Sequence, residues 1–131
     1  MAKPSILLVD DEHDFLELMA TRIKSWGYGA ITASNGKDAL GIMQTKKPDI
    51  VILDYMMPEM DGIKTLKEIR KISASIPVVM MTAYPDERSI KGAEQLGVST
   101  YIPKMSMYSD MQSVLKSTLH MIEEKLSSGK R

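Results

Sequence analysis

The sequence contains no cysteine, which excludes disulfides and thiolate chemistry and fits a reducing compartment. It has no excess of charge either: 17 Lys and Arg residues balance 17 Asp and Glu residues. Such a balance gives no sign of nucleic-acid or membrane affinity. No apolar stretch is long enough to cross a bilayer. The N-terminus, Met1-Ala2-Lys3-Pro4-Ser5-Ile6, passes into a strand pattern too soon to leave room for a signal peptide. A cytoplasmic location is therefore expected. Internal repeats and low-complexity linkers are also missing. With 131 residues, 44% hydrophobic and 26% charged, the chain reads as one globular domain with a sizeable core.

What is there is organised around Ile50–Gly62, which reads Ile-Val-Ile-Leu-Asp-Tyr-Met-Met-Pro-Glu-Met-Asp-Gly. Ile50 to Leu53 is a continuous apolar run, as suits a central strand of a parallel sheet covered on both faces. It stops at Asp54, and a loop containing Pro58 follows. Asp61-Gly62 then opens a helical pattern carried by Ile63, Leu66 and Ile69. Asp61 is the better cap for that helix because it directly precedes the run. Asp54 is left at the carboxyl end of a buried strand, where open α/β sheets place their ligands.

The rest of the chain repeats the theme. Ser5–Val9 is a first buried strand and ends in Asp10, Asp11 and Glu12. A helix from about His13 to Trp26 places Phe15, Leu16, Met19, Ile23 and Trp26 at helical spacing, and Gly27 stops it. Tyr28–Ala33 is a weaker strand, nearer an edge. Ser34-Asn35-Gly36 starts a second helix, which carries Ala39, Leu40 and Met43 inward and ends at Lys46-Lys47-Pro48. The third helix spans about Gly62 to Ile72, and Val78–Thr82 is another apolar strand ending in a polar residue. Pro85-Asp86 opens a short fourth helix, low in apolar content, weakened by Gly92 and closed by Leu96-Gly97. A short fifth strand, roughly Ser99–Ile102, leads to Pro103-Lys104. The fifth helix starts near Ser109-Asp110 with Met111, Val114, Leu115, Thr118, Leu119 and Ile122 on one face. The domain is expected over residues 1–126, with residues 127–131 a frayed polar end.

Five strands alternating with five helices predict a flavodoxin-like doubly wound (βα)5 fold, α/β in class. Its parallel sheet would run in the order 2-1-3-4-5 with helices on both faces. That order sets Asp10 and Asp11 beside Asp54, with Thr82 and Lys104 on the same rim. Three converging carboxylates repel one another, and a divalent cation resolves the repulsion; an oxygen-rich site open to water suits Mg²⁺. Lys104 adds a mobile positive charge and Thr82 a hydroxyl. Together they could stabilise in-line phosphoryl transfer with Asp54 as nucleophile.

These residues also carry a resemblance. Asp10-Asp11, Asp54-x-x-Met57-Pro58-x-Met60-Asp61-Gly62, Thr82-Ala83 and Tyr101-x-x-Lys104 resemble the receiver domain of two-component response regulators over about residues 5–126. The resemblance implies that Asp54 accepts a phosphoryl group from a sensor histidine kinase or phosphotransfer protein. It implies Mg²⁺ held by Asp11, Asp54 and the backbone carbonyl of Met56, with Asp10 assisting. It further implies a switch made by Thr82 and Tyr101, catalysis limited to the domain's own phosphorylation and dephosphorylation, and no direct nucleic-acid or membrane contact. Output, and pairing with a second copy, would run through the face of helix 4, strand 5 and helix 5. The sequence departs from the family at one point: a proline usually follows the lysine, and here Met105 does, with Pro103 before it.

Two rivals share the fold type. A flavin-binding module would need a Ser/Thr/Gly-rich phosphate loop where Asp10-Asp11-Glu12 stands. A hydrolase resembling haloacid dehalogenases would carry a second Asp at the position of Met56. A degenerate receiver that only binds partners would not need the complete acidic set. His13 and His120 read as surface helix residues, and most of the 12 methionines as core filling. Met56 and Tyr84, two residues after Asp54 and Thr82, offer no carboxylate or carboxamide to orient a hydrolytic water. A long-lived phosphoryl group is the expectation.

Overall fold

The computed structural model describes residues 3–55, 61–83, 87–104 and 108–129. Within them, five strands, β1 (Ser5–Val9), β2 (Gly29–Ala33), β3 (Ile50–Asp54), β4 (Val78–Thr82) and β5 (Thr100–Pro103), pair in parallel in the order β2-β1-β3-β4-β5. Five helices connect and follow them: α1 (His13–Ser25), α2 (Gly36–Thr45), α3 (Gly62–Ile72), α4 (Glu87–Gln95) and α5 (Tyr108–Gly129). The doubly wound fold predicted from the alternation of elements is the one observed.

The three central strands are apolar except at Ser5, Asp54 and Thr82 because both of their faces are covered. Ile6, Leu8, Ile50, Ile52, Val79 and Met81 pack on one side against Leu16, Met19 and Ile23 of α1 and Leu115 and Leu119 of α5. Their neighbours Leu7, Val9, Val51, Leu53, Val78 and Met80 pack on the other against Ala39, Met43, Leu66, Ile69 and Ala93. Successive strand residues point to opposite faces, so one short run feeds both halves of the core. Shaving Leu53 or Leu66 to alanine would cost about 2–5 kcal/mol. β2 lies at the edge and is only partly covered, as its weaker apolar pattern foretells.

Local chemistry sets the helix ends. Asp61 caps α3 by accepting the Lys64 amide at 2.9 Å, and Asn35 caps α2 by accepting the Asp38 amide at 2.8 Å. α1 ends where Gly27 turns left-handed at φ 98°, which lets the Tyr28 amide reach back to the Ile23 carbonyl. α4 continues through Gly92, and a Cβ there would stand 3.2 Å from the Ile63 side chain. That glycine admits a neighbour from α3, besides weakening the helix. The Arg70 guanidinium ties this region together, donating to the carbonyls of Ile76 at 2.7 Å, Leu96 at 2.7 Å and Gly97 at 2.9 Å. The far end of α4 is thereby fastened to α3 and to the segment leading into β4.

Two expectations shift. Val114, assigned to the inner face of the last helix, is half exposed. At 3.6 residues per turn it lies about 100° from the centre of the stripe formed by Met111, Leu115, Leu119 and Ile122. That helix also continues to Gly129, past Leu126.

Candidate functional site

The sheet register levels the strand ends. Val9 pairs with Leu53, Asp54 with Met81, and Thr82 with Pro103, so the residues at or just after these ends share one rim. Asp10 follows β1, is buried, and is held from both sides. Its amide donates to the Ala33 carbonyl at 3.1 Å, and its Oδ1 accepts the Glu12 amide at 2.9 Å. Asp54 closes β3 and is also buried. Its neighbour Tyr55 donates to the Met81 carbonyl at 2.8 Å and accepts the Gly62 amide at 2.8 Å. α3 therefore begins directly against the acid-bearing end of β3. A Cβ at Gly62 would fall 2.5 Å from the Tyr55 Cα and 2.8 Å from the Asp54 carbonyl oxygen. Only glycine fits there without moving Asp54.

Asp11 is exposed, beside its two buried neighbours in the cluster. Asp10, Asp11 and Asp54 each present a carboxylate oxygen, and these lie within 4.8 Å of one another. Lys104 faces them from the end of β5, fixed by its own amide, which donates to the Thr82 carbonyl at 2.6 Å. Its ammonium stands 2.7 Å from Asp10 Oδ2, 3.1 Å from Glu12 Oε1 and 3.6 Å from Asp54 Oδ1. With its side chain only 9% exposed, Lys104 is nearly desolvated.

The electrostatics are uneven. Burial pushes the Asp10 carboxyl above its usual range, against the Lys104 hydrogen bond and the Glu12 amide, which pull it down. Burial alone would lower Lys104, but the Asp10 hydrogen bond and the charges of Asp54 and Asp10 leave its pKa raised. The ammonium is thus secured, while the buried carboxylate remains under-compensated. A hard divalent cation fits such a donor set: three carboxylate oxygens within reach of one ion, the exposed Asp11 on the solvent side. Met56, Tyr84 and Met105 lie outside the described residues.

Thr82 ends β4 and is fully buried. Tyr101 on β5 is half-buried, and its hydroxyl stands 2.7 Å from the Ser89 hydroxyl of α4. Of the six described residues singled out from the sequence, Asp10, Asp11, Asp54, Thr82 and Lys104 occur at or just past the carboxyl ends of the strands, and Tyr101 lies within β5, paired with Met80. Glu12, Gly62, Ser89 and Phe15, whose ring centroid lies 4.2 Å from the Lys104 ammonium, acquire roles that no sequence pattern announced. Glu12 and Phe15 could have been suspected, since the first turn of a helix entering beside Asp10 must face the same rim.

A family model described as the response regulator receiver domain matches residues 6–116. The chain belongs to that family. It is 34% identical over 128 residues to a probable transcriptional regulator, ycf27, of Porphyridium aerugineum, covering 98% of this chain and 53% of that protein. It is 35% identical over 118 residues to the alkaline phosphatase synthesis transcriptional regulatory protein PhoP of Bacillus subtilis, covering 90% of this chain and 49% of that one. The chain spans about half the length of these curated relatives. A receiver domain structure from Clostridium thermocellum superposes with a TM-score of 0.84 at 26% identity, covering 97% of this chain and 98% of that chain. The protein is thus a receiver domain of the two-component type. Among the described residues no helix is long and apolar enough to cross a membrane.

Proposed function

We propose that this receiver domain is a phosphoacceptor switch in which Asp54 takes a phosphoryl group from a phosphohistidine. The observation that carries the reading is the convergence of Asp10, Asp11 and Asp54 within 4.8 Å, faced by the nearly buried Lys104 ammonium. An Asp54 carboxylate oxygen attacks the phosphorus; the O–P bond forms as the N–P bond breaks, and the bonding pair leaves with the imidazole nitrogen. The acyl phosphate carries one more negative charge than the carboxylate it replaces. Lys104 supplies a preorganised positive charge for that increment in a site of low dielectric. Mg²⁺, held by Asp11, Asp54 and the Met56 carbonyl with Asp10 assisting, would neutralise phosphoryl oxygens in the same step.

Thr82, at the end of β4, offers a hydroxyl to the phosphoryl group, and Tyr101 senses its movement from the next strand. The readout is a change in the surface of α4, β5 and α5, offered to an output partner or a second copy. The donor is a sensor histidine kinase or a phosphotransfer protein, as in a two-component pathway of the cytoplasm. The protein's catalysis extends only to its own phosphorylation and dephosphorylation. Radiolabelled phosphoryl transfer from a small donor such as phosphoramidate tests this. The label should depend on Mg²⁺, disappear with EDTA, and be released by hydroxylamine. An acid-stable, hydroxylamine-resistant label would refute it.

A further inference from the structure

We propose that Phe15 is a positioning residue for Lys104, its ring face the surface over which the ammonium moves between its resting carboxylates and a phosphoryl group on Asp54. This rests on the phosphoacceptor reading. Phe15 lies in the first turn of α1, partly buried against the core beneath the rim. The Lys104 ammonium stands 4.2 Å from its ring centroid. Two other lysine–aromatic contacts, Lys3 over Tyr28 and Lys116 over Trp26, are looser, at 5.2 and 6.0 Å. The Lys3 side chain is 44% exposed, against 9% for Lys104. Cation–π attraction strengthens as the cation loses water, so the Phe15 contact is the one that matters.

The geometry also says why a ring is useful there. The ammonium sits within hydrogen-bond distance of Asp10 and Glu12, at 2.7 and 3.1 Å, but 3.6 Å from Asp54. To engage a phosphoryl group on Asp54 it must shift away from Glu12, a partner whose own side chain is 64% exposed. Hydrogen bonds are directional and are lost in such a shift. The negative face of a ring is broad, so the ammonium keeps its attraction while it slides. Glu12 then marks the resting position, and Phe15 holds the lysine throughout. A leucine would fill most of the space without the quadrupole.

Phe15 is the one phenylalanine in the chain, so growth on fluorinated phenylalanine labels this position alone. The rate of phosphorylation by phosphoramidate should fall stepwise from the parent through mono-, di- and trifluorinated rings. Phe15→Leu should be about tenfold slower, and Phe15→Tyr should stay close to the parent. In parallel, NMR of the Lys104 ε-methylene protons should show an upfield ring-current displacement in the parent that Phe15→Leu abolishes. Parent-like rates in both the leucine and trifluorinated proteins would overturn the proposal, and so would an undisplaced Lys104 signal. If the parent itself takes no phosphoryl group, the phosphoacceptor reading fails. The ring-current measurement still decides whether Phe15 holds the lysine.

Discussion

The hydroxyls of Ser89 and Tyr101 lie 2.7 Å apart, joining the buried Ser89 in the first turn of α4 to β5. Arg70 fastens the opposite end of the same helix. Among the contacts that fasten α4, these two differ in strength: a charged guanidinium bonded to carbonyls, and a pair of neutral hydroxyls. The weaker point lies on the residue proposed as the switch. Breaking it should loosen one end of α4 while the other stays in place.

A double-mutant cycle of Ser89→Ala and Tyr101→Phe reads this coupling. Urea unfolding should give an interaction energy of about 1 kcal/mol, that of a part-buried neutral hydrogen bond. Amide exchange in Ser89→Ala should quicken in the first turns of α4 and stay slow at Val98 and Ser99, whose amides bond to Ala93 and Val78. Additive single mutants would show the hydroxyl pair to be idle.

Gly62→Ala tests how the site is built. The added Cβ would meet backbone atoms of Asp54 and Tyr55 at 2.8 and 2.5 Å, and backbone cannot rotate out of the way. Overpacking of this kind costs about 1–3 kcal/mol. The substitution should lower the unfolding free energy from urea titration by that amount and slow phosphorylation of Asp54, although Gly62 offers the site no functional group. Unchanged stability and rate would mean that α3 can retreat from β3 at no cost.

Tyr28 gives a pH signature away from the site. Its hydroxyl donates to Glu123 Oε1 at 3.1 Å, and burial, then the Glu123 bond and charge, push its pKa up to about 12. The folded state favours the neutral phenol, so this contribution to stability is fully present below the ordinary tyrosine value of 10.0. It is lost as pH rises through about 12. Ultraviolet titration should show a tyrosine ionising late, and Tyr28→Phe should remove that step. A late step that survives the substitution would contradict the assignment.

Much of the fold was legible because the strands are short and buried on both faces. The bounds of β1, α3 and β4 were readable from apolar runs that end at Asp10, Ile72 and Thr82. β5 is shifted by a residue, to Thr100–Pro103, since a short edge strand has little periodicity to mark its ends. The rim of Asp10, Asp11, Asp54, Thr82 and Lys104 followed from strand order alone. The partners of those residues did not. Phe15 and Ser89 look like ordinary helix positions, and only packing brings one to Lys104 and the other to Tyr101. Gly62 read as the start of a helix, whereas the structure shows a contact too tight for any side chain. Nothing in the sequence singles out Arg70, and only tertiary structure supplies the carbonyls it binds.

Metal removal addresses the under-compensated acids. The proposed Mg²⁺ would bind the folded cluster and not the dispersed carboxylates of the unfolded chain, so it should raise the midpoint of unfolding as its concentration increases. Asp11→Ala removes the exposed carboxylate proposed as a ligand and should abolish most of that gain while leaving the metal-free midpoint nearly unchanged. A Mg²⁺ response in Asp11→Ala equal to that of the parent would place the ion elsewhere.

The central claim is that Asp54 carries the phosphoryl group. Intact mass after incubation with Mg²⁺ and acetyl phosphate tests it most directly, with Asp54→Asn treated in parallel. The account expects one phosphoryl increment on the parent, mapped by borohydride trapping and peptide sequencing to Asp54, and none on Asp54→Asn. Equal labelling of the two proteins, or a label mapped to any other residue, would contradict it.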